Sequence, residues 1–556
     1  MANLHAIDRL TLVHEECKEF FRQSQEYLGA EMFVDMETSR TIKKSRMSSE
    51  DLALCTKHGK FKRIEDLPEP LPPGFHGVNV WTLKETKHRR RKITEPLLNV
   101  AVRKDSMPRT RYPSRLERRQ GLKACRYMLQ LDMDAYYDSI PIQKPARRLY
   151  VFKGMDGWYE LLTLPTGARW SVCVGQGITW VVVDFDHQIT IWTMIDNILL
   201  GAEEGQESEF VDAVRRLCRR LQRANLQTSP PAGTILRMSD DEILELARQE
   251  QTFLGEHYAW DDETKTRLVS NSTKTIAKLI VATRAEKFTF RSFMGLLGLI
   301  LYAMHTVSIN AARFFGLFKA YRGIAQSLAK DNHDWDDEIP FVATAAREEI
   351  AKVTDILVAN QPVVIPERRL FTYDDGAFDD IIFIDASVTG WGAIHRHGKV
   401  DAQAFIYQRK WQQQLSNIAL KPGDVGRHFY AKFSAHAEPT GVRELVEHLE
   451  RKGRLGRRVA VVTDHFAIVQ AQARENGYGG VGKGYALNSL FRATNEHDIL
   501  FFYIAGHKNP SDYISRNFTF EGGEIVETRA DVALPRLIET YCPIIELARE
   551  RPSWMR

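Results

Sequence analysis

The chain has 556 residues, of which 44% are hydrophobic and 27% charged. These are ordinary globular proportions, which exclude a fibrous or wholly disordered protein, and the length calls for several domains. The net charge of +4 says little, but between Lys84 and Arg126 there are 15 Lys and Arg against four acids, a local excess of +11 (15 − 4). A block that basic suits a phosphate-rich ligand, although RRRK at 89–92 alone fits a solvated face or an import signal equally well.

Residues 1 to about 60 carry a helical apolar pattern, with Leu10, Leu12, Val13, Phe20 and Phe21 among polar residues. EDLPEPLPPGFHG at 65–77 then breaks any helix. From 76 to 260, β-like runs (YELLTL, TWVVVDF, TIWTMIDNILL) alternate with helical ones, an α+β pattern. From 262 to 360 the pattern is mostly helical. MGLLGLILYAMHTVSI from 294 is too short and too interrupted for a membrane span and reads as a buried helix. The aromatics Phe288, Phe290, Phe293, Phe314, Phe315 and Phe318 in this region read as core. Strand–helix alternation returns from 370 to 517, and the last 40 residues carry no readable chemistry.

The six cysteines (17, 55, 125, 173, 218 and 542) form no CxxC pair. They read as free thiols of a reducing compartment, and Cys55 with His58 as structural. Asp8, Glu15 and Glu16 argue against a secretory or transit leader. The expectation is an intracellular protein of cytoplasm or nucleus, neither secreted nor membrane-bound.

Carboxylates in or beside apolar runs are costly unless paired or metal-bound. Two sets stand out. Asp132 in LDMDAYYDSIPI and Asp196 in TMIDNILL form the first. Asp385 in FIDASVTGWGA, Glu438 in HAEPTGVREL, Asp464 in AVVTDH and Asp512 in NPSDYISR form the second. Two such sets suggest two metal-dependent phosphoryl-transfer centres on one nucleic-acid path. The break at Asp196-Asn197 predicts a hairpin whose turn presents a carboxylate, and LPTGARWS at 164–171 predicts a loop before a helix. Asp385 is expected within a strand, Glu438 at the start of the GVRELVEHLE helix, Asp464 at a strand end and Asp512 after a strand. Gly390-Trp391-Gly392 fits a tight hairpin, with Trp391 in the core.

KETKHRRRKITEPLLN at 84–99, LDMDAYYDSIPI, LTLPTGARWS, TMIDNIL and FLG at 253–255 follow one another in the order seen in reverse transcriptases. They resemble the fingers strand, first aspartate motif, LPxG loop, xxDD hairpin and primer grip. The second half resembles an RNase H domain. The whole is most similar to the DIRS-like, tyrosine-recombinase order of retroelements, which includes the VIPER type. The resemblance spans residues 80–517. It implies an α+β multidomain chain: a right-hand polymerase of fingers, palm and thumb, then an RNase-H-like α/β domain with a mixed central sheet. The expected divisions are a helical N-terminal extension with its Pro-rich link (1–75), fingers and palm (76–261), helical thumb and connection (262–369), RNase H domain (370–520) and a C-terminal tail (521–556).

For the first motif Asp132, Asp134 and Asp138 compete. Anchoring on Ile140-Pro141-Ile142 without a gap places Asp132 on the metal and Tyr137 under the incoming sugar, with Tyr136 where relatives carry Ala; Asp134 stands second. The resemblance further implies triphosphate contacts from Lys84 and Arg90, substrate contacts at Gly167 and Asn197, and two Mg2+ ions per active site, replaceable by Mn2+. It also implies product release aided by His507. The implied partners are an RNA template, a DNA primer, the RNA–DNA hybrid and dNTPs. Two departures are Asn197 in place of the second hairpin aspartate, and Thr166 where many relatives have Gln. They keep open a domesticated, polymerase-inactive RNA-binding scaffold. A nuclease or integrase alone is disfavoured by the ordered polymerase motifs.

Overall fold

The computed structural model describes residues 1–39, 41–84, 90–110, 112–330, 333–339, 342–365, 371–398, 403–411, 427–473, 485–494 and 497–542. Lys87, Arg89 and Arg111 of the basic block lie outside the described residues. The chain is α+β and divides into two compact units. The first holds Met1–Phe253 and Tyr258–Leu268; the second holds Leu254–His257 and the chain from Val269.

The stretch read as an N-terminal extension is built into the core of the first unit. Ile7, Phe21, Phe33 and Phe61 belong to the same buried cluster as Leu131, Trp170, Ile198 and Leu217. Its longer helices are α1 (Glu15–Gln25) and α2 (Ser49–Lys57), the latter capped by the Ser48 side chain accepting from the Asp51 N–H. Strand β1 (Phe61–Ile64) pairs with β6 (Trp158–Leu161), which pairs with β5 (Val151–Lys153). Strands β2 (Val78–Lys84) and β3 (Arg90–Pro96) form an antiparallel ribbon in which Lys84 and Arg90 are cross-strand partners. The central sheet is antiparallel, in the order β7-β8-β4-β9: Thr190–Met194, Asn197–Glu203, Cys125–Met133 and Thr228–Ser229.

One sequence expectation fails here. TWVVVDF, expected as a β-like run, is largely the end of helix α3 (Ser171–Val183). Eleven residues of this helix are buried, so no polar face breaks its apolar run. A helix buried all round carries no period to distinguish it from a strand, and packing overrides the β-preference of its valines.

In the second unit, helices α4 (Thr273–Thr283), α5 (Phe290–Thr306), α6 (Phe315–Lys330) and α7 (Thr344–Ala359) share one apolar core that includes Phe290, Phe293, Phe314 and Phe318. Phe288 packs on its edge, and the apolar run from 294 is a buried helix. No described helix is long and apolar enough to cross a membrane.

A six-stranded mixed sheet follows, built from β10 (Asp380–Ala386), β11 (Gly390–His397), β12 (Gln403–Lys410), β13 (Arg458–Thr463), β14 (Asp498–Tyr503) and β15 (Val526–Ala530). Its order is β14-β13-β10-β11-β12-β15. β10 runs parallel to β13 and antiparallel to β11. Ile382 and Ile384 face one apolar cluster, Ile381 and Phe383 another. Cover on both faces is why β10 reads as a continuous apolar run. Residues beyond 520, in which no chemistry was legible, supply the edge strand β15, and Leu537 and Cys542 enter the second cluster. Trp391 is fully buried at the start of β11, donating from its indole nitrogen to Glu444 (2.9 Å), while the hairpin turn itself lies at 387–389.

Helix α8 (Arg427–Arg451) corrects a second expectation. Glu438 lies inside it instead of opening it, and Pro439 sits in its interior. Proline is commonest in the first turn of a helix because it lacks an N–H, so a helix that continues upstream of Pro439 departs from that local preference.

Candidate active sites

The first site is built at the end of the central sheet of the first unit. Asp132, near the exposed end of β4, is the register partner of Asn197, the first residue of β8. Directly paired residues project to one face of a sheet, so these two side chains are neighbours. Asp196 occupies the turn between β7 and β8. Its backbone carbonyl accepts from the Met133 N–H (2.8 Å), pinning the turn beside Asp132. The Asn197 side-chain amide donates to Asp196 Oδ1 (3.0 Å) and accepts from Gln130 Nε2 (2.9 Å). The residue that departs from the familiar pair thus steers the Asp196 carboxylate.

The turn is held by residues that sequence reading missed. Ile195 has φ of +57°, an unfavourable conformation for a β-branched residue. Helix α3 satisfies both of its backbone groups: the Ile195 N–H donates to Gln176 Oε1 (2.7 Å), and its carbonyl accepts from the Thr179 hydroxyl. Gln176, fully buried, also donates from Nε2 to the Thr193 hydroxyl (3.0 Å). These contacts span 16 to 19 residues, and no local motif announces them.

The two tyrosines separate clearly. Tyr136 is buried, and its hydroxyl donates to the Gly175 carbonyl (2.7 Å). Tyr137 is only partly buried. Burial, followed by the neighbouring Tyr112 and Asp196, pushes its phenol above the ordinary tyrosine range. Gly175 of α3 makes room for both rings, since a Cβ there would lie 3.1 and 3.2 Å from them. Gly167 likewise allows the LPxG loop to dock on β3. Its N–H donates to the Thr94 carbonyl (2.8 Å), from which a Cβ would be only 2.9 Å away.

Of the competing acids, Asp138 is occupied elsewhere. Lys60 and Lys92 each lie 2.5 Å from its carboxylate, and Lys92 is nearly fully buried. Burial alone would raise this carboxyl, but the two ammonium groups outweigh it and hold it below the ordinary range. Lys84 is exposed, and Arg90 pairs with Asp51 (2.8 Å). In the region resembling the primer grip, Phe253 ends a short strand, and Leu254 and Gly255 have φ of +51° and +81°.

The second site lies in the second unit, where β10, α8 and β13 converge. Carboxylate oxygens of Asp385, Glu438 and Asp464 all lie within 4.8 Å of one another. Glu438 accepts from the Ala386 N–H (3.0 Å), which ties α8 to the end of β10. Asp464 follows β13 directly, and Asp385 accepts from the Ser515 hydroxyl. The NPSDYIS loop is stitched to β10 by Asn509 Nδ2 donating to the Ile384 carbonyl (2.9 Å) and the Ser511 hydroxyl to the Phe383 carbonyl (2.7 Å). Asp512 stands outside the three-carboxylate group and is paired with Arg516 (2.5 Å). It follows β14 through a one-turn helix (Gly506–Lys508) that carries the exposed His507.

This group is electrostatically overloaded. Burial, then the charges of Asp385 and Asp464, lift Glu438 well above the carboxylate range. Burial and then Asp385 raise Asp464 to about 6, and burial raises Asp385 against its Ser515 hydrogen bond. Three clustered carboxylates that resist simultaneous ionisation suit divalent cations, which replace their mutual repulsion with attraction. The donor set is all oxygen, as Mg2+ and Mn2+ prefer.

No family model matches the chain, and no curated protein matches it. Among solved structures, it is similar to the foamy viral protease–reverse transcriptase dRH in complex with double-stranded DNA, at 11% identity and a TM-score of 0.46, covering 90% of this chain and 81% of that one. It is also similar to the foamy viral protease–reverse transcriptase in complex with double-stranded DNA, at 11% identity, TM-score 0.43 and coverages of 90% and 96%. A third similarity is to the same viral protein in complex with an RNA/DNA hybrid, at 12% identity, TM-score 0.44 and coverages of 96% and 65%.

Proposed function

We propose that this chain is an RNA-directed DNA polymerase with RNase H activity, of retroelement type and most similar to the DIRS-like order. The observation that carries the reading is that each compact unit holds its own carboxylate site. In the first, Asp132 and Asp196 would hold the divalent ions, Mg2+ or Mn2+, which when bound would supply charge stabilisation for nucleotidyl transfer from dNTPs to a primer. Lys84 and Arg90 contact the triphosphate, and Gly167 and Asn197 line the substrate. In the second, Asp385, Glu438 and Asp464, with Asp512 beside them, would hold the divalent ions, which when bound would supply a nucleophilic water for cutting the RNA strand of a hybrid. His507 moves protons as product leaves. The expected divisions 76–261, 262–369 and 370–520 then serve as fingers and palm, thumb and connection, and RNase H domain, the first joined by residues 1–75 that share its core and the last by the edge strand Val526–Ala530. The deciding experiment supplies the full chain with Mg2+, dNTPs and a DNA primer on labelled RNA. Extension with RNA cleavage is expected. Loss of both, with hybrid binding retained, favours the polymerase-inactive scaffold, the reading that Asn197 keeps in view.

Two positions refine the polymerase site. Tyr137→Ala is expected to admit ribonucleotides at least roughly tenfold more readily, with dNTP use falling only moderately, because a missing ring opens the space a 2′-hydroxyl needs. Competition between rNTPs and dNTPs during primer extension reads this directly. If Tyr136→Ala relaxes sugar selection instead, Asp134 replaces Asp132 as the metal ligand. Gln176→Leu strands the Ile195 N–H, at a cost of about 1–3 kcal/mol. The expected result is a roughly tenfold lower kcat with KM for template–primer unchanged, and rescue by Gln176→Glu, which keeps the acceptor. An equal loss in the Glu variant points to general destabilisation instead.

A further inference from the structure

We propose that Asp380, His395 and His397 form a binding site for a divalent metal ion of the zinc class. Asp380 opens β10 and is the direct register partner of His397 on β11, while His395 lies two residues back on the same face. His395 Nε2 and His397 Nδ1 both address Asp380 Oδ1, at 2.9 and 2.6 Å. The three donor atoms lie within 4.8 Å of one another. Tetrahedral zinc, with bonds of about 2.0–2.2 Å, sets its ligand atoms about 3.3–3.5 Å apart. The His395 contact therefore needs to open by roughly half an ångström and the His397 contact by somewhat under one, with the bridging protons released as the metal enters.

The surroundings prepare the site. Asp380 and His395 are fully buried, whereas His397 is 39% exposed, so the site has one open side for a water ligand and for metal entry. Gly456 N–H donates to the other carboxylate oxygen, Asp380 Oδ2 (2.5 Å), holding the group in place and leaving Oδ1 to the metal. The His395 ring is braced by Tyr407 and Phe405, with centroids 6.0 and 6.4 Å away. Two imidazoles and one carboxylate are a borderline donor set, which selects zinc, cobalt or nickel over magnesium. Asp380 lies five residues before Asp385, about 16 Å along the strand, so this ion is distinct from any held by the carboxylate triad. Its ligands join the start of β10 to the end of β11, and the Gly456 hydrogen bond to Asp380 ties in the loop before β13.

The test strips the full chain with chelator and titrates Zn2+ in excess Mg2+, which occupies the all-oxygen sites. One Zn2+ per chain is expected, with a rise in Tm. Co2+ in its place is expected to give the visible absorption of a tetrahedral ion. His397→Ala and His397→Gln, at a half-exposed position, are each expected to weaken Zn2+ binding by at least about a hundredfold. X-ray absorption at the zinc edge of the wild type is expected to show two imidazoles in the shell. Absence of zinc uptake in the presence of Mg2+, a shell without imidazole, or affinity unchanged in both His397 variants overturns the proposal.

Discussion

Asp196→Ala is expected to lower primer extension on an RNA template by at least about a thousandfold, while binding of the hybrid changes by no more than about twofold. On the proposed reading Asp196 would be a metal ligand, so its loss would remove several kcal/mol of transition-state stabilisation, and each 1.36 kcal/mol is about a tenfold change in rate. On the same reading binding would survive, because the substitution removes a metal ligand and leaves every Lys and Arg of the basic block in place. The substitution is conformationally mild: Asp196 contributes its backbone carbonyl to the Met133 bond, and the strained residue clamped by α3 is its neighbour Ile195. Single-turnover extension with a pre-bound hybrid checks the result; wild-type extension by this variant sinks the polymerase assignment. Asn197→Asp in the same assay is expected to hold or raise activity. It adds a carboxylate where the amide now orients Asp196, and Gln130 Nε2 can still donate to it.

Asp464→Asn is expected to abolish RNA cleavage in the hybrid, again by about a thousandfold or more, with primer extension unchanged. The two carboxylate sites belong to separate units, so their losses are expected to be independent. The same variant carries a stability signature of opposite sign. The folded-state Asp464 carboxyl is raised from 3.8 to about 6, by burial and then by Asp385. Between those two values the folded, metal-free chain binds more protons than the unfolded one, so this group's contribution becomes less favourable as pH rises through the window. Above about pH 6, metal-free Asp464→Asn is therefore expected to be more stable than wild type, on the order of 1 kcal/mol after allowance for solvent on its open side. Mg2+ is expected to erase or reverse that difference. Calorimetry at about pH 4 and pH 7, with and without Mg2+, measures both. Simultaneous loss of cleavage and extension in a folded variant rules out two independent sites.

Asp385, Glu438, Asp464 and Asp512 were each legible as an acid in or beside an apolar run and were grouped as one site; the structure brings the first three together and leaves Asp512 outside them, paired with Arg516. The hairpin presenting Asp196 was legible too, because a strand pair must reverse where its apolar pattern breaks. Helix α3 was misread at TWVVVDF because complete burial erases periodicity. Gln176, Thr179, Ser515 and the Lys60–Lys92 pair around Asp138 stayed silent because their partners lie 16 to 130 residues away.

What the amino-acid sequence alone determined is which groups must be reckoned with: the carboxylates whose apolar flanks make ionisation costly, the basic block, and their order along the chain. What only the tertiary structure decided is which of them meet. It assigned Asp138 to two lysines and Asp132 to the strand position opposite Asn197, and it left Tyr137 as the less buried of the two tyrosines. It also placed two histidines on Asp380. Local sequence sets the desolvation cost of a buried charge, but the interactions that offset it come from residues brought within a few ångströms by strand register and helix packing.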